Sequence, residues 1–386
     1  MSEVNKLMRI VSILLFLFLS FCDLNQAYSA PRKYKSAILM EAETGRILFG
    51  RSMHKKLPPA SMVKMMLALI VMEKVKHGEI SLSDKVKVSR HASMIGGSQV
   101  YLREGEVFTL EDMMKAIMIK SACDAAVAVS EHISGSTKKF LVLMNKRASE
   151  LKMKNTIFKT TSGLPKIQNG HSGDMSSVYD MAILARELVK NPTVLKWTNT
   201  KTDTFRNGKF ILTNTNKLLK TFPELDGLKT GYYRRAGWSF TATAKKNDMR
   251  LISVVMGCPT KKLRFDKTRD ILNMGFKNYT KLCLAKKGDV IFENIPVITG
   301  NKRYINGISN KDIILVIRKS DKKKIIKQKI MFDRIQAPVE KGQRIGCILI
   351  KMDKKTIAEA SVVAKESVDR ISKFKWLMRK YVFLCE

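Results

Sequence analysis

"PPASMVKMM", residues 58–66, places a serine and a lysine three residues apart at the head of an apolar run that continues to Met72. Residues at this spacing share one face of a helix, so the side chains of Ser61 and Lys64 can touch. A desolvated lysine close to a hydroxyl can lose its charge and take the serine's proton, which turns the serine into a nucleophile. The alternative is a serine that caps the helix and a lysine whose amine extends to water.

The chain is long and strongly basic. Its 386 residues, 45% of them hydrophobic, are enough for two domains with hydrophobic cores. The 71 basic residues outnumber the 34 acidic ones and give a net charge of +37 at pH 7. Such a chain is attracted to anionic polymers and surfaces. Nucleic acid is the usual polymer of this kind, but the N-terminus argues against a nucleic-acid partner.

The N-terminus has the pattern of a secretory signal. A short basic segment precedes the apolar run from Ile10 to Phe21, which is too short to span a bilayer comfortably. Small residues at Ala27 and Ser29 favour cleavage after Ser29, so we predict a signal peptide over residues 1–29. The mature protein is then expected as a peripheral protein on the periplasmic face of the inner membrane, where the polyanions are lipid head groups and cell-wall polymers. An uncleaved N-terminal anchor is the alternative.

Cysteine and histidine usage indicates neither a disulfide framework nor a metal site. Cys22 belongs to the signal, and the other cysteines are odd in number and widely separated. They are Cys123, Cys258, Cys283, Cys347 and Cys385. No pair has CxxC or metal-ligand spacing, and the five histidines form no HExxH motif. We therefore expect no metal ion and no cofactor.

The pattern of apolar residues predicts an α+β domain over residues 30–277, called the catalytic region below because it contains Ser61 and Lys64. Two strands around a Thr-Gly turn are predicted within residues 36–50, and the apolar helix from Ser61 is expected to end near Gly78. Further helices are predicted at 110–120, 125–133, 137–152 and 176–190, and a hairpin around Lys-Asn-Asp at 237–257. Strands at both ends with helices between them indicate an antiparallel sheet whose first and last strands are neighbours, with a helical cluster packed against it.

The last quarter of the chain has a different composition. Isoleucine- and valine-rich runs separated by Gly and Lys-rich turns predict a small all-β, sandwich-like domain over residues 278–365. In residues 366–386, apolar side chains recur at steps of three and four with basic residues in the gaps. This pattern predicts an amphipathic helix that binds an anionic membrane surface. The alternative is a terminal helix docked on its own domain.

Two further fragments decide how the opening stretch is interpreted. "SACD" places Ser121 between two predicted helices, and "DGLKTGYYRRAG" places Lys229, Thr230 and Gly231 at the start of the returning strands. In this order they resemble the SxxK, SxN and KTG boxes of the penicillin-recognising serine acyl-enzymes. The chain is most similar to the low-molecular-mass penicillin-binding proteins, the serine D-alanyl-D-alanine carboxypeptidases. "LKMKNTIFKTTSGL", residues 151–164, extends the resemblance, which covers nearly the whole mature chain.

The resemblance implies a β-lactamase/transpeptidase-like fold and a reaction through an acyl-enzyme. Ser61 would attack the carbonyl between two D-alanines of a peptidoglycan stem peptide and release the terminal one. Lys64 would be the base, and Ser121 would relay a proton towards the leaving amine. β-Lactams mimic the scissile amide, so penicillin is expected to trap the same serine.

The third box would bind the substrate. Lys229 and Thr230 would hold the terminal carboxylate, and Gly231 would let the substrate backbone lie along the strand edge. The oxyanion hole would be formed by the backbone N–H groups of Ser61 and Tyr232.

One substrate-binding position departs from the family pattern. The family usually has an asparagine two residues after the second serine, where this chain has Cys123. A thiol donates and accepts hydrogen bonds more weakly than an amide. Two hypotheses follow, a slower carboxypeptidase or a catalytically weakened wall-binding protein, and we favour the first because the other chemical positions are intact. A β-lactamase also shares the three boxes, but it needs a carboxylate to activate water, and none is recognisable before the KTG box.

Overall fold

A computed structural model describes residues 34–165, 173–331, 335–353 and 355–372. The predicted signal peptide and Cys385 lie outside the described residues. Within these ranges, no helix combines the length and the apolar character needed to cross a membrane.

The catalytic region has strands at both ends of its sequence and most of its helices between them. The strands are β1 (Ser36–Glu41), β2 (Ile47–Arg51), β3 (Lys85–Lys87), β4 (Val107–Thr109), β5 (Thr202–Phe205), β6 (Phe210–Thr213), β7 (Leu225–Tyr233), β8 (Gly237–Lys246) and β9 (Met249–Cys258). The α-helices are α1 (Lys64–Lys76), α2 (Arg90–Ser93), α3 (Leu110–Lys115), α4 (Cys123–Ser134), α5 (Thr137–Glu150), α6 (Val178–Leu188), α7 (Pro192–Asn199) and α8 (Lys261–Asn278). Short 3-10 turns at Ala60–Val63 and Lys217–Lys220 and a π-turn at Ala116–Lys120 complete this region.

Five antiparallel strands form the main sheet, in the order β2-β1-β9-β8-β7. Leu39 of β1 lies opposite Ser253 of β9, so the first and last strands of the region are neighbours, as the sequence predicts. The predicted hairpin is also confirmed, because Lys246 pairs with Met249 across a two-residue turn. This arrangement places the KTG stretch on β7, at one edge of the sheet.

Helix α1 lies at the centre of the helical cluster and packs against α4, α5 and α6. Every residue from Lys64 to Met72 is buried, which explains the apolar run, because a helix enclosed on all sides has no polar face. The predicted helices at 137–152 and 176–190 correspond to α5 and α6. Ser177 caps α6, since its hydroxyl accepts a hydrogen bond from the backbone N–H of Asp180 at 3.1 Å.

The sequence analysis missed helices α7 and α8. The apolar stripe of α8 is short and is interrupted by Arg264, which is buried although it is charged. Most of the other positions of this helix are polar or charged, so its periodicity is weak. Helix α8 packs against β8 and β9 of the main sheet, and these tertiary contacts stabilise it where the local sequence pattern is weak.

The C-terminal part is rich in β-structure. Its strands are β10 (Tyr279–Ala285), β11 (Val290–Ile298), β12 (Tyr304–Ser309), β13 (Ile313–Arg318), β14 (Ile325–Met331), β15 (Ile335–Gln336), β16 (Arg344–Met352) and β17 (Lys355–Ala364). Six of them form a sheet in the order β14-β16-β17-β12-β11-β15, and β10 pairs with β13. Ala285 and Ile313 of this pair pack into the core of the six-stranded sheet, whereas Tyr279 and Val316 pack into the catalytic region. The pair therefore connects the two cores.

The predicted helix over 366–386 does not begin where the sequence pattern placed it. Val368 is buried and exchanges two backbone hydrogen bonds with Val339, each at 2.8 Å. The N–H of Ile371 donates to the carbonyl of Thr299 at 2.9 Å. The described part of this segment, up to Ser372, is thus extended and belongs to the β-rich core, because its apolar side chains find partners there. The rest of the predicted helix lies outside the described residues.

Candidate active site

Ser61 lies in the 3-10 turn that precedes α1. This turn has no side-chain capping hydrogen bond, so the structure gives no support to the alternative in which Ser61 caps a helix. Gly163 packs directly on the turn: a Cβ there would overlap the carbonyl of Ala60 and come within 2.8 Å of the backbone nitrogen of Ser61. Gly163 also has a positive φ of 78°, a conformation that favours glycine. The segment around Gly163 thus fixes the backbone that carries the hydroxyl.

Lys64, the first residue of α1, has a fully buried side chain that points to the hydroxyl of Ser61. Its Nζ donates hydrogen bonds to the Oγ of Ser61 at 3.0 Å and to the carbonyl of Ser162 at 2.5 Å. A third contact, of 3.4 Å, joins Nζ to the Sγ of Cys123. The amine is therefore held inside the protein by three groups, and its position matches the predicted base.

Ser121 and Cys123 follow the π-turn of the second box. Ser121 adopts a left-handed conformation with φ of 69°, which ends the turn and allows α4 to start at Cys123. The backbone N–H of Cys123 donates to the carbonyl of Ser98 at 2.6 Å. The thiol is 3% exposed and is oriented towards Lys64. Cys123 thus lies behind the cleft wall. It contacts Lys64, which in turn contacts Ser61.

Strand β7 carries the third box. Lys229 is 1% exposed, and its Nζ donates to the carbonyl of Thr230 at 3.3 Å. Burial, and then the charge of Lys64, hold the pKa of Lys229 well below its usual value. The hydroxyl of Thr230 donates to the hydroxyl of Thr215 at 2.8 Å, which fixes its orientation.

Gly231 has a packing role in addition to the predicted one. A Cβ at this position would lie 2.5 Å from the carbonyl oxygen of Pro59 and 3.3 Å from the Cβ of Ala60. The missing side chain therefore lets β7 approach the turn that carries Ser61. Gly231 also lines the cleft, and the expectation that it makes room for the substrate backbone stays a prediction.

These segments enclose a cleft of about 390 Å³. Its lining residues are Ser61, Ser98, Lys120, Ser121, Thr213, Asn214, Thr215, Lys217, Thr230, Gly231, Tyr232, Trp238, Lys261 and Arg264. Five of the eight predicted site residues thus line one cleft, and the side chains of Lys64, Lys229 and Cys123 are buried behind it. Among the described residues, no group of three or more His, Cys, Asp or Glu side chains is placed to hold a metal ion.

Arg264 is a site residue that the sequence analysis missed. It is 2% exposed, and its Nη1 donates to the carbonyls of Ser239 at 3.2 Å and Gly231 at 3.5 Å. Burial lowers the pKa of Arg264 to about 10. The guanidinium lies 5.1 Å from the ring centre of Trp238, which in turn stacks on Tyr232 at 3.7 Å. Nothing in the sequence pointed to this arginine, because it lies on the helix that was not predicted.

A serine hydroxyl on a cleft wall, in contact with a buried amine and flanked by a second serine and a KTG strand, defines a serine acyl-transfer enzyme. Comparisons with known protein families agree with this class. Residues 25–260 match the family described as D-alanyl-D-alanine carboxypeptidase, and residues 279–370 match the penicillin-binding protein 5 C-terminal domain.

Curated proteins and solved structures with similar chains carry related names. D-alanyl-D-alanine carboxypeptidase DacF of Bacillus subtilis is 40% identical over 89% of this chain and 88% of its own length. Penicillin-binding protein 5 of Haemophilus influenzae has a TM-score of 0.76 at 31% identity, covering 88% of this chain and 98% of that one. Penicillin-binding protein D2 of Listeria monocytogenes, solved in its ampicillin-bound form, has a TM-score of 0.58 at 31% identity, covering 64% and 98%. The chain belongs to the D-alanyl-D-alanine carboxypeptidase family.

Proposed function

We propose that this protein is a serine D-alanyl-D-alanine carboxypeptidase that removes the terminal D-alanine from peptidoglycan stem peptides through an ester on Ser61. The observation that carries the proposal is the 3.0 Å contact between the Nζ of Lys64 and the Oγ of Ser61. A buried amine in contact with a hydroxyl on a cleft wall is suited to take its proton.

Acylation forms the bond between the Oγ of Ser61 and the carbonyl carbon, and breaks the amide bond between the two D-alanines. Lys64 takes the proton of the hydroxyl. Ser121, on the same cleft wall, passes a proton to the leaving amine, so that free D-alanine departs. Water then attacks the ester, the carbon–Oγ bond breaks, and a proton returns to Ser61.

The basic residues that line the cleft suit the free carboxylate at the end of the substrate. Thr230 lines the cleft and is oriented by Thr215, which leaves its hydroxyl close to the substrate end. The buried Lys229 donates to the carbonyl of Thr230, and Arg264 donates to the carbonyl of Gly231. Ser61 and Tyr232 line the same cleft, and their backbone N–H groups remain the proposed oxyanion hole.

We also propose that β-lactams acylate Ser61, as expected of a chain similar to a protein solved with ampicillin bound. A β-lactamase activity is less well supported, since no acidic side chain of the described residues lines the cleft. Asp174, a carboxylate that precedes the KTG box, is 4% exposed and accepts hydrogen bonds from the backbone of Lys159 and Thr160. Asp174 thus stabilises a loop and is not placed to activate water. The ester between Ser61 and a β-lactam is therefore expected to be long-lived.

The location of the protein rests on the sequence alone. The signal-like first 29 residues and the net charge of +37 support secretion to the periplasmic side of the membrane. Attachment to an anionic membrane surface rests on the basic and apolar pattern after Ser372, since the preceding residues belong to the β-rich core.

D-alanine release from a pentapeptide that ends in D-Ala-D-Ala tests the proposed activity. The wild-type protein should release free D-alanine, and Ser61→Ala should release none while it keeps the melting temperature. Ser83→Ala, at an exposed position that is not part of the cleft lining, is the matched control and should retain activity. A protein that binds the peptide without releasing D-alanine would instead be the wall-binding alternative.

A further inference from the structure

The charged residues that line the active-site cleft are all basic. Lys120, Lys217 and Lys261 line the cleft together with Arg264, and no acidic residue of the described ranges belongs to its lining. These three lysines, the rim lysines, come from different segments: the end of the π-turn, the 3-10 turn before β7, and the start of α8. The fold thus brings cations from three distant parts of the chain to one opening.

The rim lysines have no ion-pair partner among the described residues. Neighbouring charges on α8, in contrast, are neutralised locally: Lys262 pairs with Asp266 at 2.7 Å, and Lys267 pairs with Asp270 at 2.6 Å. Lys261, one residue before Lys262, takes no part in this network. Lys261 therefore lines the cleft without an ion-pair partner among the described residues, although the next lysine along the helix is paired.

The placement of these lysines is electrostatically unfavourable in the empty protein. Lys261 is the first residue of α8, and a cation there is repelled by the positive end of the helix dipole. Partial burial is the largest cause that lowers the pKa of Lys217, and neighbouring ammonium groups lower it further. These neighbours are Lys220, Lys261 and Lys120. An anion at the rim would relieve both effects.

We propose that Lys120, Lys217 and Lys261 recognise a second carboxylate of the substrate, upstream of the scissile bond. This inference rests on the proposed function and narrows the substrate class to acidic peptides that end in D-Ala-D-Ala and carry at least one further free carboxylate. In the proposed function Thr230 and the buried Lys229 bind the terminal carboxylate of the substrate. The three rim lysines are therefore available to bind a different anionic group. A cleft of one charge sign also concentrates such a substrate at its opening.

Two peptides that differ in one functional group test the inference. Both end in D-Ala-D-Ala, and an upstream side chain carries a free carboxylate in one and the carboxamide in the other. Calorimetric titration of the Ser61→Ala protein measures binding without turnover, and the wild-type protein gives kcat/KM for each peptide. We expect the carboxylate peptide to be favoured about ten-fold in both measurements at low ionic strength, with a smaller preference as salt screens the charges.

The rim variants assign the preference to particular residues. Lys217→Gln and Lys261→Gln should each reduce the carboxylate-to-carboxamide ratio by about three-fold, and the double variant should nearly abolish it. Lys262→Gln, next to Lys261 but paired with Asp266, is the matched control and should leave the ratio unchanged. Equal binding of the two peptides, or a ratio that the double variant does not alter, would overturn the inference.

The two proposals fail in different ways. If the Ser61→Ala protein prefers the carboxylate peptide but the wild-type protein releases no D-alanine from either, the rim assignment stands and the proposed hydrolysis is wrong. If both peptides are hydrolysed at the same rate and bind equally, the carboxypeptidase stands and the rim assignment is wrong.

Discussion

The Nζ of Lys64 lies 3.4 Å from the Sγ of Cys123, so a thiol lies beside the lysine at the sequence position where the family resemblance predicts an asparagine. Cys123 is buried, and its contact with the cleft is indirect. The predicted consequence of the cysteine therefore concerns how firmly Lys64 is held next to Ser61. An amide oxygen accepts a hydrogen bond from an amine more strongly than a thiol does.

Cys123→Asn is expected to raise carboxypeptidase activity, by about ten-fold if one hydrogen bond of about 1.4 kcal/mol is regained. Cys123→Ser keeps the size of the side chain and is the control for polarity alone. The space is tight, because a Cβ on Gly97 would lie 3.3 Å from the sulfur. Activity and melting temperature are measured together, and a fall in both would show that the site is built around the cysteine.

Gly231→Ala should destabilise the protein and reduce its activity together. The added methyl group would meet the carbonyl of Pro59 at 2.5 Å, and overpacking of this kind costs about 1–3 kcal/mol. Gly96→Ala is the matched control, since no atom lies within 4 Å of a Cβ at that position. Urea unfolding of both variants checks this, and an alanine at 231 that retains full stability would contradict the packing role.

The sequence predicts the reactive side chains of this site better than the groups that hold them in position. Helical spacing and the three boxes identify Ser61, Lys64 and Ser121, and the order of strands predicts that β1 and β9 are neighbours. Arg264 was not predicted, because the helix that carries it has little apolar periodicity. The hydrogen bond from Lys64 to the carbonyl of Ser162 was not predicted either, because every residue has a backbone carbonyl and the residue type does not show which one accepts. Both depend on tertiary packing, which a single sequence does not encode locally.

The contribution of Lys229 to the free energy of unfolding should depend on pH. Burial lowers the pKa of Lys229 in the folded protein, so between that value and the ordinary value of 10.5 the unfolded chain binds a proton that the folded chain does not. Its contribution to the free energy of unfolding therefore increases with pH across this window. The free energy of unfolding of the wild type, minus that of Lys229→Met, is therefore expected to rise as the pH is raised towards 10.5, as measured by urea titration at several pH values. A constant difference would mean that the lysine is not buried.

Two deletions of different length separate the β-rich core from the tail. Removing residues 373–386 should leave the melting temperature unchanged and weaken binding to anionic vesicles. Removing residues 366–386 also deletes Val368, which is 1% exposed, and its hydrogen bonds to Val339, and should cost about 1.5–3 kcal/mol of stability. Equal melting temperatures for the two deletions would contradict the extended structure of this segment.

Peptide mapping by mass spectrometry after incubation with benzylpenicillin tests most directly that Ser61 is the nucleophile and Lys64 its base. We predict one adduct per chain, on the peptide that carries Ser61, and a rate of adduct formation at least about 10²-fold lower in Lys64→Ala. Lys76→Ala, an exposed position on the same helix, should acylate at the wild-type rate. An adduct on another residue, or normal acylation of Lys64→Ala, would contradict the account.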